Sequence, residues 1–201
     1  MIDTILSDLG NVLLTFDNGI FYSRLASRSR LTAGELERVA LENLDLGILF
    51  EKGAVSEIDF HRNAQDLFAT EADFGEFFAL YCDVFTANPP VLDLYRRLRP
   101  KLKTAVVSST DIMRWTFIKR RFPEILLFDA FALSFEIGAM KPDPLVYLEA
   151  LKLTGSRPET AVFIDDLAEN VAGAERMGIQ GIVYGPGVDL EAELRRAGVA
   201  V

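Results

Sequence analysis

ILSDLGNVLL, residues 5–14, is an apolar run that stops on a carboxylate, Asp8, and resumes only after Gly10. A short run rich in Ile, Leu and Val reads as a buried strand. A strand of that kind ending in a lone Asp raises two questions: what shares the edge with Asp8, and why glycine stands two residues later. Four further runs of strand length answer the first: TAVVSS (104–109), AFALSF (130–135), AVFIDD (161–166) and GIVYG (181–185). From residue 101 onward these runs alternate with helical patterns, in DIMRWTFIKRRF, LVYLEALKL, VAGAERMG and DLEAELRRAG. Alternation of this kind predicts βαβ units and an α/β fold with a parallel sheet. For LVYLEALKL the limits are explicit, with Asp143 as N-cap, Pro144 in the first turn and Gly155 as the stop.

Residues 17–90 read differently. No clear strand emerges there, and the apolar positions recur at helical spacing. Thr32 with Glu35 forms a capping box, Ser56 with Asp59 a weaker one, and Phe60, Ala64, Leu67 and Phe68 fall on one helical face. NPP at 88–90 breaks and restarts the pattern. The division expected is therefore a core built from residues 1–16 and 91–201, with a helical insertion at 17–90.

Composition narrows the function classes. The chain has 201 residues, 50% of them hydrophobic and 25% charged, which is a globular rather than a disordered composition. A net charge of −9 argues against nucleic acid as a partner. No uncharged stretch is long enough for a membrane span, and MIDTILSD lacks a basic region ahead of an apolar one, so a cytoplasmic protein is expected. The single cysteine, Cys82, reads as a packing residue in FFALYCDVF.

Three of the strand-like runs end in polar groups: Asp8; Ser108 with Ser109 and Thr110; and Asp165 with Asp166. Carboxyl ends of parallel strands share one edge, where ligands bind, so these groups should converge. Crowded carboxylates resist ionising together, and a divalent cation removes the conflict. An all-oxygen site with few protein ligands suits Mg²⁺, which also takes phosphate oxygens. Lys141 in GAMKPDP would add positive charge, while Ser108, Ser109 and the N–H groups opening the next helix would hold an anionic oxygen. The sum is a phosphate-ester site with Asp8 as nucleophile.

These four segments, ILSDLGNVLL, AVVSST, GAMKPDP and VFIDDLAEN, resemble in order the four motifs of the haloacid dehalogenase-like hydrolases, across residues 3 to about 185. DLGNV and the spacing of Asp165, Asp166 and Asn170 are similar to the branch with a small four-helix type 1 cap, which includes bacterial α-glucose-1-phosphate phosphatase and the phosphatase domain of soluble epoxide hydrolase. The resemblance implies a three-layer Rossmann-like core with strand order 5-4-1-2-3 and an inserted cap. It implies catalytic roles for Asp8, Ser108 and Lys141, and phosphoryl binding by Ser108, Ser109 and Lys141. Metal binding would fall to Asp8, the Gly10 carbonyl and Asp166, with Asp165 nearby or acting through water. The activity implied is Mg²⁺-dependent hydrolysis of a small phosphorylated metabolite, such as a sugar phosphate.

Most phosphatases of that family carry an aspartate where this chain has Gly10, and it serves as general acid and base. Either the leaving group departs with little protonation or another side chain supplies the proton, and Asp17 is the nearest candidate in sequence. Relatives without that aspartate include 2-haloacid dehalogenases, which usually carry Tyr there and need no metal, and a phosphonatase that needs a cap lysine. Lys52 is the only lysine in the insertion. A non-catalytic binding module that has lost the acid is the third alternative.

Each residue also has an ordinary structural role to set beside its functional one. Asp8 would be a turn residue, Ser108 an N-cap, Lys141 a solvated lysine, and Asp165 with Asp166 a helix start. His61 is expected on a helix surface, Trp115 in the core, and the arginines of YRRLRPK on a solvated face. Phe21, Tyr22 and Phe50 are candidates to line a substrate pocket.

Overall fold

The computed structural model describes residues 1–201. Its strands are β1 (Thr4–Ser7), β2 (Leu14–Phe16), β3 (Phe85–Ala87), β4 (Lys103–Ser108), β5 (Ala130–Leu133), β6 (Ala161–Asp165) and β7 (Gln180–Val183). Five of them form one parallel sheet in the order β5-β4-β1-β6-β7. All five apolar runs read from the sequence are these strands, and the order is the one the resemblance implied. In β1, the central strand, Ser7 lies opposite Val106 on one side and Ile164 on the other. Strand order reverses here, so β1 delivers its carboxyl end to the switch point.

Between β2 and β3 the chain forms the helical cap: α1 (Asn18–Leu25), α2 (Ala33–Glu42), α3 (Leu44–Glu51), α4 (Glu57–Leu67) and α5 (Phe74–Cys82). Five helices stand where four were implied, because Asn43, at φ −128 and ψ 42, both ends α2 and opens α3. Taken as one helix broken at Asn43, α2 and α3 restore the count of four. Thr32 and Glu35 make the complete capping box, and Ser56 caps α4 through the Asp59 N–H. Phe21 and Phe60 pack edge to face or tilted against Phe77 and Tyr81 in the cap core, and Phe50 stacks on Phe60 at 4.0 Å between centroids.

Two expectations for this segment are corrected. β3 is a strand inside residues 17–90: it has three residues, too few for an apolar run to register, and it pairs antiparallel with β2 through Leu14↔Ala87 and Phe16↔Phe85. His61 is buried, not on a helix surface. Its Nε2 lies 3.0 Å from the Ala72 carbonyl oxygen and its ring packs on Phe74 and Phe77. Cys82 is buried in the cap core, as its sequence context suggested.

The sheet is covered on both faces. Alternation along each strand sends Ile5, Val106, Val162 and Ile164 to one side and Leu6, Ala105, Val107 and Phe163 to the other. The first face packs on α6 (Pro89–Leu98), α7 (Ile112–Arg121) and later α11 (Leu190–Arg196), with Trp115 in that core. The second packs on α9 (Pro144–Thr154) and α10 (Ala168–Arg176), beside the short α8 (Ser134–Ile137). Asp143 caps α9, Pro144 opens it, and Gly155 closes it in the left-handed conformation at φ 59. No helix is long and apolar enough to cross a membrane.

Cap and core meet where α5 packs on α7 and at two further places. One is the β2–β3 ribbon, braced by Asn88, whose side chain donates to the Val12 carbonyl at 2.8 Å. The other is the loop after α3, where the Ser134 hydroxyl donates to the Glu51 carbonyl at 2.6 Å. Here Gly53 has φ +67, and a Cβ would stand 2.2 Å from the Phe135 carbonyl oxygen. Gly138, at φ +80, has open space instead. Gly138→Ala should therefore cost about 1 kcal/mol of conformational strain, and Gly53→Ala about 3 kcal/mol or more because the clash adds to it. Urea unfolding of the two variants checks this, and equal losses would mean that the cap does not press on Phe135.

Candidate active site

The strand ends converge as their order requires. Asp8 follows β1 directly, with its N–H donating to the Ile164 carbonyl of β6 at 2.8 Å. Ser108 is the last residue of β4 and Asp165 the last of β6. Asp8, Gly10, Ser108, Ser109, Lys141 and Asp166 all line one cavity of about 450 Å³. Asp165 does not line it. It lies fully buried beneath.

Lys141 is the centre of the arrangement. Its Nζ lies 2.6 Å from Asp8 Oδ1 and 2.7 Å from Asp165 Oδ2, with the side chain only 3% exposed. The solvated-lysine reading is therefore overturned. Burial opposes the ammonium charge, but the two carboxylates more than offset it and raise its pKa above the usual lysine range. Asp8 is pushed up to about 7, by burial first and by the nearby Asp165 as well, against the pull of Lys141. Asp165 is fully engaged: Oδ2 takes the lysine, while Oδ1 accepts from the Leu167 N–H at 2.8 Å and from Asn170 Nδ2 at 3.0 Å. Asp166 is oriented by Asn11, whose Nδ2 donates to its Oδ2 at 2.9 Å. One oxygen from each of Asp8, Asp165 and Asp166 falls within 4.8 Å of the others, an all-oxygen donor set of the kind hard divalent cations take.

Ser108 is buried at the cavity wall, whereas the Ser109 hydroxyl accepts the Lys141 N–H at 3.2 Å and so anchors the lysine loop. The opening of α7 is not free for an anion, contrary to expectation. Asp111 caps it, taking the Arg114 N–H at 2.9 Å, and Tyr81 donates its hydroxyl to the same carboxylate at 2.8 Å. The chain supplies its own anion there.

At Gly10 a Cβ would stand 3.0 Å from the Phe16 ring, so a side chain there requires that ring to give way. Asp17 does not replace the missing acid either: it is exposed and caps α1, accepting the Gly19 N–H at 2.8 Å. Lys52 is exposed just past α3. Phe21 and Tyr22 line a second cavity of about 150 Å³ inside the cap, whereas Phe50 is core.

Three residues that the sequence reading passed over, Asn18, Glu51 and Arg114, line both cavities. The Arg114 guanidinium lies 4.3 Å from the Tyr81 ring centroid and donates from Nη2 to Asn18 Oδ1 at 2.8 Å, while its Nε is buried without a hydrogen bond, 3.8 Å from Asp111 Oδ2. Burial pushes the Glu51 carboxyl up to about 7, against Arg114 and Lys141. Arg114 did carry a signal, as one charge within MRWTFI on a helix whose neighbouring positions are apolar. Glu51, in FEKG, carried none.

Comparison with known proteins identifies the family. The family model described as haloacid dehalogenase-like hydrolase matches residues 2–178. The chain belongs to the haloacid dehalogenase-like hydrolases. Among relatives of this family, glyceraldehyde 3-phosphate phosphatase from Methanopyrus kandleri is 34% identical over 96 residues, a match covering 45% of this chain and 38% of that protein. A HAD family enzyme from Bacteroides thetaiotaomicron, solved with magnesium and inorganic phosphate, superposes with a TM-score of 0.79 at 20% identity, over 97% of this chain and 100% of the other. A predicted HAD-like hydrolase from Porphyromonas gingivalis gives 0.83 at 25% identity, over 98% and 97%. The protein is a hydrolase of this family with its α/β core and helical cap.

Lys141→Met should leave two buried carboxylates facing each other and cost about 3–5 kcal/mol. In that variant Asp8, already raised by burial, loses the opposing pull of Lys141, so the folded state holds a proton that the unfolded state releases. The loss should be small below the unfolded carboxylate range and grow as pH rises. Urea titrations in chelator at pH 5 and pH 8 compare the two, and a loss independent of pH would contradict the charge assignment.

Proposed function

We propose that this hydrolase is a Mg²⁺-dependent phosphatase of a small phosphorylated metabolite, working through an aspartyl-phosphate on Asp8. The observation that supports it most directly is Lys141, held 2.6 Å from Asp8 inside a cavity that Ser108 and Asp166 also line. Asp8 offers one oxygen to phosphorus, and Lys141 neutralises the carboxylate as the phosphoryl group approaches. Ser108 donates to a phosphoryl oxygen, and Ser109 keeps the lysine loop in place. Asp165 holds the lysine from below.

Asp8, Asp166 and the Gly10 carbonyl would hold Mg²⁺, because Asp165 has already committed both of its oxygens. When bound, Mg²⁺ supplies charge neutralisation for the phosphoryl oxygens. The phosphate named for the Methanopyrus relative, and the magnesium and phosphate named for the Bacteroides enzyme, support the same reading. We take residues 17–90 as the cap that selects substrate and residues 1–16 with 91–201 as the catalytic core. An exposed Lys52 argues against imine chemistry.

The test is phosphate release from a panel of phosphorylated metabolites, sugar phosphates first, with Mg²⁺ and with chelator. Turnover should require the metal, and Asp8→Asn should lower it by about 10³-fold or more in a variant that circular dichroism shows to be folded. Chelator-resistant halide release from 2-haloacids, with no phosphate released from any ester, would overturn the proposal.

A further inference from the structure

We propose that Glu51, carried by the cap, is the general acid and base of this site: it protonates the leaving oxygen and then takes a proton from the attacking water. This rests on the phosphatase reading above. An alkyl phosphate expels an alkoxide, which needs a proton as the P–O bond breaks.

The cavity holds few groups able to give that proton. Asp8 attacks phosphorus. Lys141 is held between two carboxylates, and Asp165 is buried below the cavity with both oxygens taken. Asp166 is turned by Asn11 toward the Asp8 side of the cluster. Residue 10 is glycine and brings no side chain, and Asp17 caps α1. Glu169 lines the cavity, but from the exposed first turn of α10. Glu51 remains.

Its placement fits the task. Glu51 lines the catalytic cavity and also the cap cavity, together with Asn18 and Arg114. A phosphate ester with its phosphoryl group at Asp8 and its organic part under the cap has its ester oxygen at the boundary between them. Glu51 is fixed there from the core, because the Ser134 hydroxyl that donates to its carbonyl also accepts the Thr110 N–H at 2.9 Å. One hydroxyl thus sets the acid in register with the Ser108–Thr110 loop. The Glu51 carboxyl itself makes no hydrogen bond or ion pair with the protein, which leaves it available to a substrate oxygen.

The groups facing it are Arg114 and Asp111 at the start of α7, Tyr81 of α5, and Lys141, Asp8, Asp166 and Glu169 around the cavity. Burial among these raises its proton affinity to about 7, so the acid form persists near neutrality. The steps balance. Asp8 bonds to phosphorus, the ester bond breaks, and its electron pair stays on the leaving oxygen, which takes the Glu51 proton. Water then bonds to phosphorus and gives a proton to the Glu51 carboxylate, and the Asp8–phosphorus bond breaks to release phosphate.

The experiment compares an alkyl phosphate with p-nitrophenyl phosphate, whose leaving group departs without a proton, in the wild type, Glu51→Gln and Glu51→Asp. Glu51→Gln should lower kcat/KM for the alkyl ester by about 10²–10⁴-fold and change that for the aryl ester only a few-fold. It should show a burst of nitrophenol as dephosphorylation becomes limiting. The wild type should lose kcat/KM on the alkyl ester as pH rises above about 7, because the acid form is required, and Glu51→Gln should flatten that limb. Glu51→Asp should recover part of the alkyl activity.

Equal losses on both esters at unchanged melting temperature would assign Glu51 a merely structural role. Unchanged alkyl turnover in Glu51→Gln would also overturn the proposal. A wild type that releases phosphate while Glu51→Gln behaves like it rejects this inference alone, and a wild type inactive on every ester rejects the phosphatase reading as well.

Discussion

Lys141 Nζ stands between two carboxylates that arrive on neighbouring parallel strands, and all three groups are withdrawn from solvent. Burying any one of these charges alone would cost several kcal/mol, so each is tolerated only because the other two are in place. The lysine comes from the loop before α9, held through Ser109, while the acids close β1 and β6. The arrangement can form only when three distant segments of chain are correctly assembled. With Asp166 added, three carboxylates face one ammonium, and the excess of negative charge at the mouth is what a divalent cation would balance.

The cap completes this centre. Its junctions with the core do different jobs: the β2–β3 ribbon brings Phe16 and Phe85 to the cavity wall, the Ser134–Glu51 contact ties the end of α3 to the start of α8, and α5 packs on α7 through Tyr81 and Asp111. Between them the polar trio of Asn18, Glu51 and Arg114 separates a cavity of charged groups from one lined mostly by apolar and aromatic side chains. Arg114 is braced by Asp111, Tyr81 and Asn18, so the boundary is built from packed, hydrogen-bonded residues.

How much was legible in the sequence follows from where the determining contacts lie. The five core strands, the limits of α9 and the capping box at Thr32 depend on neighbours within a few residues, and the sequence displays them directly. The convergence of Asp8, Ser108 and Asp166 follows from a rule about parallel sheets, so it was legible as well. What escaped depends on distant pairing. β3 is a strand only because Leu14–Phe16 lies beside it, and His61 is buried only because α4 meets the turn at Ala72 and Phe74. Glu51 looked like any exposed helix-end glutamate until the cap folded it over the cavity. Asp17 was near Asp8 in sequence, but proximity along the chain carried it out to the start of α1.

The register of β1 has a consequence for how the molecule reaches this state. Thr4 lies beside Lys103 on one edge and Ala161 on the other, so the central strand waits for partners about a hundred and more residues further along the chain. The cap core, by contrast, joins residues drawn almost wholly from a single continuous stretch. Closing long loops before any contact rewards them is slow, and nearby contacts form first. The cap is thus free to organise early, while Asp8 waits for β6, whose Ile164 carbonyl accepts its N–H.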